Sequence, residues 1–155
     1  MYGKYRAKVI NNTDPEFMGR IKVSCPYVYG ESESPWCLPC MPIIGVERGI
    51  YSPPQIGDTV WVEFEGGNTE KPIYTGGWWT KGNVPTTDPD IEVFVSKAGH
   101  RIVIQNRAGS ESITVLEKHG HNIVMNNTGI VVEAVGKDIT LRGNRLFFNS
   151  TQIGG

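Results

Sequence analysis

No segment of this 155-residue chain carries a long hydrophobic run: no window approaches the ~20 apolar residues of a membrane helix. The opening stretch Met1–Phe17 has no apolar core of the length a secretory leader needs, so no signal peptide is expected. Charge of one sign is missing too. Fifteen basic against sixteen acidic residues leave a formal net charge of −1, which gives no electrostatic footing for nucleic acid or an anionic membrane. Sustained helical periodicity is also absent, because Gly, Pro or β-branched clusters break every stretch long enough to show it. Cysteine is scarce and odd in number. Cys37-Leu38-Pro39-Cys40 has the spacing of a redox or zinc pair, but no helix start is expected there to acidify a thiol. The single remaining cysteine, Cys25, cannot complete a zinc set. The three thiols therefore read as structural or incidental, in a chain made in a reducing cytoplasm.

What the chain has in quantity is turn formers: nineteen Gly and ten Pro. Many turns imply short strands, so the expected class is all-β. Val60, Val62 and Phe64 alternate with Trp61, Glu63 and Glu65, and Gly66-Gly67-Asn68 turns the chain into a return strand from Pro72. Further strands are expected at Gly3–Ile10, Gly19–Cys25, Trp36–Pro39, Thr59–Phe64 and Pro72–Gly76. Such a set suits a small barrel of the OB type over residues 1–79, since closure removes exposed edges. Residues 80–91, rich in Thr, Pro, Asn and Asp, read as a linker.

Residues 92–155 follow a different pattern. Gly99–Asn106 (GHRIVIQN) returns as Gly120–Asn127 (GHNIVMNN), and apolar-x-apolar triplets recur at Ile113, Ile130, Ile139 and Leu146. Short strands punctuated by Gly, Asn, Lys or Asp suggest a β-helix or solenoid. Such a ribbon cannot enclose a core alone. It would leave Ile102, Ile104, Ile113, Val115, Ile123, Met125, Ile130, Val132, Ile139, Leu141, Leu146 and Phe148 on a wet face, and a large exposed apolar face normally means a partner. Three copies, each supplying one wall, make the smallest closed prism, with these twelve residues as the expected trimer core. About seven strands stacked at ~4.7–4.9 Å give a rod about 33 Å long. Arg101, Gln105, Glu111, Lys118, Lys137, Arg142 and Arg145 would face water.

A barrel, a linker and a prism ribbon together resemble the central spikes of contractile injection systems: the phage baseplate assembly protein V family and the VgrG spikes of type VI secretion. The residues that carry the resemblance are Gly19-Arg20-Ile21-Lys22-Val23, Ser34-Pro35-Trp36, Pro54–Phe64 with its P-x-x-G-D-x-V-x-V-x-F pattern, and Glu70–Gly76. The resemblance implies a non-enzymatic homotrimer whose barrels dock under a baseplate hub protein. Its intertwined trimeric β-helix would point at the target cell envelope as a piercing needle. It also implies assembly in the bacterial cytoplasm into a virion tail baseplate or injection particle. The tract between barrel and prism leaves no room for the lysozyme domain that some phage spikes insert. Some spikes end in iron held by H-x-H triplets; His119-Gly120-His121 has that form but lies well before the C-terminal residues, so it reads as corner histidines and no metal or other cofactor is expected. The ending Gln152-Ile153-Gly154-Gly155 suggests a blunt end bearing a separate PAAR-type tip protein.

Trp78 and Trp79 have three open placements: the barrel–linker junction, a contact between protomers, or a cover over the barrel's open end. No Ser, His or Asp sits in a nucleophile context, and Glu63, Glu65 and Glu70 read as solubilising charges. The alternative function is an OB-fold module binding an oligonucleotide or oligosaccharide on a Tyr27, Tyr29, Trp36 and Trp61 platform. The missing basic groove weighs against nucleic acid.

Overall fold

Val60, Val62 and Phe64 turn to the inside of their strand while Thr59, Trp61 and Glu63 stay partly exposed, as the period-2 pattern predicts. The computed structural model describes residues 1–143, and the chain forms two units, Met1–Val84 and a second beginning at Pro85. In chain order the first contains β1 (Tyr5–Asn11), β2 (Lys22–Ser24), the one-turn helix α1 (Pro26–Tyr29), β3 (Leu38–Pro39), β4 (Ile44–Gly45), β5 (Arg48–Gly49), β6 (Thr59–Phe64) and β7 (Pro72–Gly77). Five strands form one curled sheet in the order β2-β1-β6-β7-β3, with β3 parallel to β7 and the other pairs antiparallel. Its two edges are tied by reciprocal hydrogen bonds between Ile21 and Cys37, at 3.2 and 2.8 Å. The Tyr74 hydroxyl, buried inside, donates to the Gly19 carbonyl at 2.8 Å. Ala7, Val9, Ile21, Val23, Cys25, Cys37, Val60, Val62, Phe64 and Tyr74 fill the interior. Burial pushes the Cys37 thiol up to about 11 and raises Cys25 as well, which keeps both protonated and unreactive.

The expected strands at Gly19–Cys25 and Trp36–Pro39 shorten to β2 and β3, with Ile21 and Cys37 serving the edge closure. Two elements were not expected. Helix α1 has Pro26 in its first turn and ends at Gly30, whose φ is 60° and whose N–H reaches the Pro26 carbonyl. It is too short to show periodicity. The hairpin β4–β5 is made of two-residue strands, below the length at which alternation is visible.

The quoted motifs interlock. Arg20 donates through Nε and Nη2 to Asp14 Oδ1 at 3.1 and 2.7 Å, and its guanidinium lies 5.5 Å from the Trp36 ring centre. Ser34 Oγ accepts the Val23 N–H at 2.9 Å. Asp58 caps its own turn by accepting the Gln55 N–H at 2.7 Å, while Val9 ties β1 to that turn, accepting the Gly57 N–H and donating its own N–H to the Asp58 carbonyl, both at 2.9 Å. Asp14 is the hub of the loop before Gly19. Its carboxylate also accepts backbone N–H groups of Glu16, Met18 and Arg20. The Arg20 guanidinium, opposed by burial and helped by these amides, holds the Asp14 carboxyl well below the usual carboxylate range.

In the second unit β8 (Ile91–Val95), β9 (Arg101–Gln105), β10 (Ser112–Leu116), β11 (Asn122–Asn126) and β12 (Gly129–Glu133) form one sheet in sequence order, every pair antiparallel. This corrects the solenoid expectation. The chain reverses at each turn instead of advancing around corners, because tight hydrogen-bonded turns such as Ser96–His100 and Glu117–His121 fold each strand back on the last. Ile139-Thr140-Leu141 is not a strand, and both apolar residues are exposed. The expected triplet at Leu146–Phe148 lies outside the described residues.

Two outcomes follow for the first unit. Tyr74→Phe removes one buried hydrogen bond and leaves the Gly19 carbonyl unpaired, so denaturant unfolding should show a loss of about 1–3 kcal/mol. Asp14→Asn should lower stability at neutral pH. Because the native carboxyl titrates below its unfolded value, the gap from wild type should persist down to about pH 4 and shrink under stronger acid. Denaturation midpoints across a pH series measure it.

Candidate assembly interface

Cross-strand register sorts the second unit's side chains into rows. Phe94, Ile102, Val115, Ile123 and Val132 lie opposite one another across the five strands. Two residues along, Glu92, Ile104, Ile113, Met125 and Ile130 make a parallel row on the same face. The expected core residues Ile102, Ile104, Ile113, Val115, Ile123, Met125, Ile130 and Val132 are thus brought onto one face. Ile139 and Leu141 stand outside the sheet, and Leu146 and Phe148 lie outside the described residues. Phe94, which precedes the first Gly-His repeat from which the sequence pattern was read, extends the first row. Arg101 and Gln105 alternate to the opposite side.

No described residue of the unit covers this face. Ile123 is 40 % exposed and Ile130 70 %, and among the described residues from Pro85 onward none is buried. A patch of a few hundred Å² at ~25 cal/mol per Å² amounts to on the order of 10 kcal/mol, comparable with the ~5–15 kcal/mol stability of a whole domain.

Where the chain leaves β7, Trp78 packs on the outer side of the sheet. Its ring centre is 4.7 Å from that of Trp61, and the Arg6 guanidinium lies 5.5 and 5.7 Å from the two rings. Thr59 Oγ1 donates to the Trp78 carbonyl at 2.6 Å. Gly77 is required here, since a Cβ would sit 2.5 Å from the Thr59 carbonyl oxygen. The open-end alternative for Trp78 therefore gives way to a junction placement, and Trp79 remains exposed. The other aromatics do not assemble into one platform. Tyr27 stacks on Tyr5, Tyr29 packs edge-on to Phe64 with its hydroxyl bonded to the Thr69 carbonyl, Trp36 lies beside Arg20 and Lys22, and Trp61 belongs with Trp78. His119 and His121 occupy a turn. His119 Nδ1 is 2.7 Å from Glu117 Oε1, and His121 Nδ1 accepts the Val135 N–H at 3.0 Å.

A second apolar surface, not anticipated from sequence, is an open groove of about 540 Å³ in the first unit, lined by Met18, Pro39, Met41, Ile43, Ile44 and Tyr51. Phe17, which also lines it, is 93 % exposed with φ 56°, and Glu47, another lining residue, has φ 54°. Left-handed backbone at a bulky residue is costly, and the Asp14 contacts hold Phe17 there.

Among the described residues no helix is long and apolar enough to cross a membrane. No curated protein matches the chain. Residues 5–79, the curled sheet through Trp79, match the family described as the Type VI secretion system/phage-baseplate injector OB domain.

Proposed function

We propose that the chain is a structural spike of a contractile tail or VgrG-like injection system, working as a homotrimer and without catalysis. The observation that carries this reading is the row-ordered apolar face of β8–β12, uncovered by the described residues. Three such walls, each turning that face to a common axis, make the smallest closed prism, and a prism of paired strands is stiff enough to transmit thrust to a target envelope. Ile102, Ile104, Ile113, Val115, Ile123, Met125, Ile130 and Val132 are its core. The injector OB match supports a baseplate position for the first unit. There the Phe17 loop and the apolar groove supply a docking face toward the hub protein. A PAAR-type tip caps the C-terminal end, and the assembled particle is a virion baseplate or a secretion apparatus built in the cytoplasm. No nucleic-acid role is assigned, because the charge is balanced and the aromatics are dispersed.

Unboiled protein in SDS should migrate near three times 17.1 kDa, since three interlocked walls separate slowly. Ile123→Asp would place three carboxylates at one axis and should abolish that species. Thr114→Asp, on the opposite face of the same sheet, should leave it intact. Equal behaviour of the two variants would show that the inward face is misassigned.

A further inference from the structure

The repeated Gly-His pair marks a device at one end of the second unit's sheet. Gly99 and Gly120, with φ of 93° and 105°, close turns of one design. Ser96 N–H reaches the His100 carbonyl at 2.9 Å, as Glu117 N–H reaches that of His121 at 2.8 Å. Each histidine then reaches onward to the next turn at the same end. His100 Nδ1 accepts the Lys118 N–H at 3.3 Å, and His121 Nδ1 accepts the Val135 N–H at 3.0 Å. Three successive turns are thereby tied in series by two imidazole rungs.

We propose that His100 and His121 form an imidazole ladder that locks these turns together at neutral pH and releases them on acidification. Each rung needs a bare Nδ1, so the ring carries its proton on Nε2. A second proton converts Nδ1 into a donor facing a backbone donor, and the rung breaks. Surrounding charge makes the two rungs unequal. Glu117 Oε1 lies 3.7 Å from His100 Nδ1, offering a protonated ring a new partner, although the same oxygen is 2.7 Å from His119 Nδ1. His121 has no carboxylate within 4 Å among the described residues. Glu133 on the adjoining strand accepts from Asn122 Nδ2 instead. The remaining charges on these turns and strand ends are Lys97, Arg101, Lys118, Lys137 and Asp138. The His121–Val135 rung therefore opens in acid, and it pins the exit of β12, a strand exposed along its whole length. The ladder belongs to the sheet itself and does not depend on the number of copies.

Amide exchange in the full chain at about pH 7.5 and about pH 5, corrected for intrinsic rates, tests the ladder. Val135 protection should fall roughly five- to tenfold in acid, the worth of one hydrogen bond, while β10 amides hold. His121→Asn, whose Oδ1 is an acceptor at either pH, should keep Val135 protected throughout, and His121→Ala should lose protection at both. Unchanged Val135 protection in wild-type acid samples, an equal fall in His121→Asn, or a parallel fall across β10 would each overturn the proposal.

Discussion

A single layer of β-sheet has two faces and no interior, and that constraint governs the second half of this protein. Its five strands satisfy each other's backbone groups completely enough to hold a register, yet they bury no side chain fully. Hydrogen bonding fixes the shape of the wall. The apolar rows it lines up, uncovered by the described residues, would be stabilised by a covering surface. Local structure and assembly are in this way separated: the turns set which residues share a face, and that face is the one proposed to meet sister walls.

The first unit solves the same problem internally. Its sheet curls until Ile21 and Cys37 pair, so alternate residues of every long strand find an interior. The outside is then free for other work. Arg6 lies against Trp61 and Trp78 where the chain departs, and the Asp14 carboxylate holds Phe17 out from the surface at a backbone angle that a free loop would relax. A buried ion pair with three backbone amides is an expensive way to shape a loop, which is consistent with the loop's tip having a use.

Period-2 alternation made β6 legible to the residue, and the same alternation placed Ile102 with Ile104 and Ile123 with Met125 on shared faces before any pairing was known. Alternation does not distinguish a meander from a solenoid. Both are short strands separated by turn residues, and the difference lies in whether a turn's hydrogen bonds close back, as Ser96 with His100 does. Asp14 was also illegible. An Asp-Pro in a polar loop is ordinary, and its importance comes from Arg20 and three amides converging in space. The β4–β5 hairpin and the groove beside it depend on two-residue strands, too short to leave a period in the sequence.

The central claim concerns how many chains share one interior, so molecular mass in solution tests it most directly. Light scattering coupled to size exclusion, repeated on dilution, should report a particle of three times 17.1 kDa at every concentration. A well-folded, non-aggregating 17.1 kDa monomer would contradict the account, because the apolar rows would then be stable in water without a cover.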